Sequence, residues 1–180
     1  MMQGANNFIT RLLLSMDEHA MEKTVAKGEV IIAEGEIERN IYFIGSGAVR
    51  VFLLTEFEEL TIRFGYKGSV INSLASFISE KPSEFYMEAI RKSTLKMINK
   101  SIFLKLVNES EESLRNYICL LELLTLQQIE REVDLLTVSP SERLNRVLQR
   151  SPNLFQEIPL KYISSYLRMK PETLSRIRNP

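Results

Sequence analysis

Residues 110–136 contain no glycine and no proline, and the apolar side chains Leu114, Ile118, Leu121, Leu124, Leu126, Ile129, Val133 and Leu136 cover more than one face of a helix. A helix of about 25 residues is about 38 Å long, longer than a small domain needs for its own core. Such a helix must bury two sides. The economical arrangement lays one face on the chain's own N-terminal barrel and the other against the same helix of a second copy, giving a two-fold dimer with a coiled-coil-like seam. The alternative is a single amphipathic helix inside a monomeric α+β domain.

The texture before this helix is different. Residues 8–23 read as a short helix with Phe8, Leu12 and Leu13 on one side. From 28 to 99 come short runs rich in β-branched and aromatic residues (30–33, 41–44, 48–54, 60–64, 85–90 and 94–98), and six of the seven glycines fall among them. Closely spaced strands with sharp turns predict an antiparallel barrel or jelly roll, with Val49, Phe52 and Leu54 in its interior. Between 69 and 84 the strand pattern lapses into a short helix and loop, the kind of insertion where ligands are held. The expected fold class is α+β: a sensor β-barrel unit with flanking helices over 1–109, a dimerisation helix over 110–137 and a helical C-terminal unit over 138–180.

Composition narrows the chemistry. One cysteine, Cys119, excludes an internal disulfide and a four-thiolate cluster, and with a single histidine, His19, neither a His-rich metal centre nor a Ser-His-Asp triad is expected. His19 reads as a partly exposed helix residue and Cys119 as a small packing residue. No catalytic or metal-binding residues are therefore expected. The apolar stretch 8–16 is broken by Arg11 and lacks a small-residue cleavage site, and nothing else approaches the roughly 20 apolar residues of a bilayer span. A soluble, cytoplasmic protein without membrane contact is expected. Lys plus Arg and Asp plus Glu are both 23. Yet residues 139–180 hold eight basic groups against three acidic ones, a net +5 that leaves −5 on the rest. A basic terminal module on an acidic body suits a polyanion partner.

That module carries the most informative pattern. Ser139-Pro140-Ser141-Glu142 is a helix start, with Ser139 as cap, Pro140 at the first helical position and Glu142 three residues after the cap. Residues 137–139 form the hinge before it. Leu144, Val147 and Leu148 make one apolar stripe. Pro159 opens a helix with Leu160, Ile163 and Leu167 on one face; after Arg168-Met169-Lys170, Pro171 opens another with Leu174 and Ile177 facing inward. This is a helix-turn-helix, whose second helix projects its outer side into the major groove of DNA. That side carries Glu172, Ser175 and Arg176: a carboxylate to accept from cytosine, a hydroxyl, and a guanidinium to donate twice to guanine. The plainer reading is a helix-stabilising Glu172–Arg176 ion pair.

The run Pro171-Glu172-Thr173-Leu174-Ser175-Arg176-Ile177 resembles the recognition helix of the Crp/Fnr superfamily of bacterial regulators. Gly28-Glu29, Gly35, Ile41-Tyr42-Phe43-Ile44, Gly47 and Val49-Arg50-Val51 likewise resemble that family's cyclic-nucleotide-binding-type barrel. The resemblance implies that Glu172, Ser175 and Arg176 read bases while Thr173, Lys170, Lys161 and Arg178 touch DNA phosphates. It also implies a homodimer through 110–136, double-stranded DNA and RNA polymerase as partners, and a small-molecule effector. Two departures stand out. Arg168 occupies a turn position where the family has glycine, so a left-handed backbone there would be strained or the turn would differ. The chain stops at Pro180 without the family's β-hairpin wing, which implies weak DNA affinity or a truncated chain.

Family members that bind cyclic nucleotides hold the ribose with a glutamate and the phosphate with an arginine and backbone amides. Here Asn72-Ser73 stands where Gly-Glu is expected and Ser83-Glu84 where Arg-Ser is expected. Glu84 would then set a carboxylate near the phosphate, with Lys81 as the remaining cation. The resemblance therefore implies a cassette kept as scaffold, with no cofactor, no usual use of cyclic AMP and an effector of unknown identity. A cupin-type enzyme is disfavoured because the strand region holds no histidine. The other reading is an effector-sensing or protein-interaction module whose DNA-binding domain has degenerated.

Overall fold

The structure, a computed structural model, describes residues 2–178 and is α+β. In chain order the elements are α1 Met2–His19, β1 Met21–Val25, β2 Val30–Ile32, β3 Asn40–Leu54, β4 Glu59–Tyr66, β5 Val70–Ile71, α2 Leu74–Ser79, β6 Tyr86–Asn99, α3 Lys100–Val107, α4 Glu111–Leu136, α5 Pro140–Arg150, α6 Leu154–Glu157, α7 Leu160–Leu167 and α8 Pro171–Arg178. The helix expected over 8–23 ends earlier, at His19, and Met21–Val25 is a strand paired with Ser93–Met97 of β6.

The β unit is one six-stranded antiparallel sheet ordered β1-β6-β3-β4, with β2 on β6 and β5 on β3, and its path does not close into a barrel. The runs 41–44 and 48–54 are one strand, as are 85–90 and 94–98, because β3 and β6 stay paired through three register shifts between Ile44 and Val49. Bulges of this kind bend long strands without ending them. Gly47 makes the bend possible. Its φ is +88° and an added Cβ would lie 2.2 Å from Ser93 Oγ, so both backbone and space require glycine.

Three apolar clusters hold the molecule together. One, with Val25, Ile44, Val49, Met87 and Leu95, lies inside the curved sheet. A second joins Phe8, Leu12 and Met16 of α1 to Ile98 and Phe103. The third is built by Leu144, Val147, Ile163, Leu167 and Leu174 of the C-terminal helices and includes Ala48 and Ile90 of the sheet. Of the expected interior residues, Val49 and Phe52 are buried, but Leu54, the last residue of β3 and paired with Glu59 beside the turn into β4, is exposed. The close neighbours of α4 are α1, α3 and α5 rather than the strands it was expected to cover. Its Leu114, Ile118, Leu126, Ile129 and Val133 remain exposed. No helix among the described residues is long and apolar enough to cross a membrane.

Candidate nucleic-acid interface

The C-terminal helices form as their local sequence dictates. Ser139 caps α5 by accepting from the Glu142 amide at 3.3 Å, with Pro140 at the first turn. Beneath α7 and α8, Ile163, Leu167 and Leu174 are fully buried, while Leu160, expected on the same face, is 40% exposed. Leu160 sits in the first turn of α7, before the helix meets its neighbours. A short helix missed by sequence reasoning, α6, adds Leu154 to this core; four residues give too short a period to read.

Arg168 adopts φ 54° and ψ 50°, the left-handed conformation that glycine would supply. Its strain is about 1–2 kcal/mol for a residue with a Cβ. Arg143 offsets it: Nη1 donates to the carbonyls of Leu167 at 2.7 Å and Arg168 at 3.3 Å, while Nε and Nη2 donate to Thr137 in the hinge. A cation at the end of α7 also complements the helix dipole. The turn therefore keeps its shape, and α8 follows α7 in helix-turn-helix order.

On α8, Glu172, Ser175 and Arg176 are exposed. Glu172 and Arg176 form no ion pair among those of the described residues, so the plainer explanation of their spacing is not realised. Thr173 is half-buried; Lys161 and Lys170 are exposed. The Lys161 ammonium lies 4.4 Å from the Tyr162 ring centre and the Arg178 guanidinium 5.4 Å from that of Phe155.

The C-terminal unit is fastened to the sheet. Ser165 of α7 donates from Oγ to the Glu59 carbonyl at 2.8 Å and accepts from the Thr61 amide at 3.0 Å, so α7 caps the free edge of β4. Arg50, 3% exposed, donates to Glu59 at 2.5 Å and Glu88 at 3.1 Å and lies between the rings of Phe52 and Tyr162. From α4, Arg131 stacks on Tyr166 and donates to its carbonyl, and Asp134, with no exposed side-chain surface, accepts from Arg146 at 2.9 Å and from Arg150. Arg50, Arg131, Asp134 and Arg143 were not singled out as site residues. Their roles depend on partners 6 to 38 positions away in sequence, or on rings contributed by other elements.

The cassette between β5 and β6 is closed on itself. Ser73 and Ser83 are buried with their hydroxyls 2.8 Å apart, and Asn72 donates to the Asn40 carbonyl at 3.4 Å. Lys81 and Glu84 point to solvent. The carboxylate that does enter the cassette is Glu38, which sequence reasoning missed. It accepts from the amides of Asn40 at 2.9 Å and Ser73 at 3.4 Å and from the Tyr42 hydroxyl at 3.4 Å. Burial raises its pKa above the ordinary carboxylate range, and backbone hydrogen bonds from Asn40 and Ser73 oppose that shift. Among the described residues no three His, Cys, Asp or Glu side chains could hold a metal ion.

Residues 22–110 match the cyclic nucleotide-binding domain family. No curated protein sequence matches the chain. Among solved structures, FixK2 from Bradyrhizobium japonicum is 21% identical with a TM-score of 0.76, over 89% of this chain and 83% of that one. A CooA mutant from Carboxydothermus hydrogenoformans is 19% identical, with a TM-score of 0.67 over 91% and 76% of the two chains. The catabolite activator protein of Thermus thermophilus is 24% identical, with a TM-score of 0.56 over 93% and 80%. Residues 22–110 thus resemble the cyclic nucleotide-binding domain family, and the chain has the fold of FixK2, CooA and the catabolite activator protein.

Proposed function

We propose that this protein is a DNA-binding transcription regulator of the Crp/Fnr type that works as a homodimer and does not use a cyclic nucleotide in the family's usual way. The observation that carries the reading is the outer face of α8: Glu172, Ser175 and Arg176 are exposed together on a helix whose inner face is locked by Leu174. Thr173, Lys170, Lys161 and Arg178 are the candidates for phosphate contacts. The exposed apolar stripe of α4 supports pairing with a second copy, which would place two such helices one helical turn of DNA apart. A regulator of this kind would act in the cytoplasm and meet RNA polymerase at promoters.

The cassette argues for the second half of the reading. A cyclic phosphate entering it would meet the buried Glu38 carboxylate already bonded to the Ser73 amide, and no arginine stands at position 83 or 84 to neutralise it. These residues do not fit that ligand.

Gel shift with genomic fragments at low salt tests the proposal. The wild type is expected to retard a subset of fragments, and Arg176→Ala to lose that selectivity while keeping weak, salt-sensitive binding. Equal retardation of all fragments by both proteins would overturn it.

A further inference from the structure

Because α4 crosses the sheet without packing tightly on its strands, two cavities lie between them. The first, about 400 Å³, opens between β4, α4 and the C-terminal helices; its walls include Arg63, Ser69, Gln127, Arg131, Arg150 and Tyr166. The second, about 250 Å³, runs beneath α4 toward α1 and is lined largely by apolar groups such as Leu12, Ile71, Phe77, Phe103 and Leu120. Arg63, Val70, Leu124 and Gln127 line both, so the two spaces share a wall.

The charge in this region is one-sided. Three arginines and no carboxylate line the first cavity, and no carboxylate lines the second. Arg150 is neutralised by Asp134 and Glu130. Arg63 is half-buried and has no hydrogen-bond or ion-pair partner among the described residues. Burial pushes its guanidinium pKa down from the ordinary value, the mark of a cation short of compensation. Arg131 keeps one bond, to the Tyr166 carbonyl, and its Nε and Nη1 are buried without partners. Two under-partnered guanidinium groups on one cleft, each costly to leave so, are what an anion would relieve.

We propose that these joined cavities bind an organic acid with an apolar body. Its carboxylate accepts two hydrogen bonds from Arg63, with Arg131 adding positive potential from the α4 wall, and its hydrocarbon part fills the space under α4. The apolar part of the site borders the Asn72–Glu84 cassette through Asn72, Leu74, Phe77 and Ile78, whereas Arg63 and Arg131 lie outside the cassette. It touches both the sheet and α7, so occupancy bears on how the C-terminal unit is held. The inference does not depend on whether α8 reads DNA.

Calorimetric titration of the full chain without DNA tests it, using octanoate, octanol, acetate and cyclic AMP as probes. Octanoate is expected to bind, octanol and acetate to bind at least about tenfold more weakly, and Arg63→Met to weaken octanoate by about tenfold or more, the loss of one charged hydrogen-bonded pair. Arg63→Lys is expected to keep part of the affinity. Octanoate binding no better than octanol in the wild type would overturn the proposal, and this comparison stands even if the Met variant does not fold. Undiminished octanoate binding to a folded Arg63→Met, or preference for cyclic AMP over octanoate, would also overturn it. Selective DNA retardation is read separately, so either idea can fail without the other.

Discussion

At the scale of single residues, the most consequential side chain is one whose sequence context gives no warning of its role. Glu38 lies in a polar stretch, Glu34 to Asn40, that reads as an exposed loop, yet it is buried against Tyr42 and Ser73. Its raised pKa means that the folded chain holds this proton more tightly than the unfolded chain. Stability from this group is therefore greatest at acid pH and is lost as pH rises from the ordinary value of 4.5 through the raised one. Glu38→Gln keeps the shape and removes the charge. Thermal melts of the variant should show a smaller fall in Tm between mildly acidic and neutral buffer than the wild type shows; an unchanged difference would mean that Glu38 is not the group responsible.

Elements meet at the hinge. Residues 137–139 join α4 to α5 with no regular structure, and the two helices are held by Asp134 between Arg146 and Arg150. Both arginines keep about a third of their side chains in water, so this clamp is weaker than a fully buried pair. Asp134→Asn should cost about 2 kcal/mol, read in urea unfolding. It should also raise hydrogen exchange in α5 before it does so in β3. Loss of stability spread evenly over the chain would show that the clamp does not define the joint. The cap on the α5 side of this joint was legible beforehand, because Ser139 acts on an amide only three residues away.

For the whole molecule, the unanswered surface is α4. Its exposed stripe includes Ile129, half exposed, in a helix otherwise backed by α1. Burial of such a stripe is worth roughly 25 cal/mol per Å² of apolar surface. Ile129→Glu is expected to leave each subunit folded, to shift sedimentation from dimer to monomer and to weaken DNA binding with it, since a lone recognition helix loses the second half-site. A variant that stays dimeric would place the seam elsewhere.

The local sequence determined the change from strand to helix texture, the length of α4, the α5 start and the order α7-turn-α8. Each rests on periodicity, capping or proline placement within a few residues, where chain geometry leaves little choice. It also set the exposed acid, hydroxyl and guanidinium of α8, because Leu174 and Ile177 fix which side faces inward. Only the tertiary structure decided that α1 rather than the sheet backs α4, that the strand path stays open, and that Ser165 seals β4 through bonds spanning 104 and 106 residues. It alone left Arg63 without a counter-charge while Arg50 found two. Burial and ion pairing depend on what distant segments bring to the same point in space, and no short-range pattern encodes that.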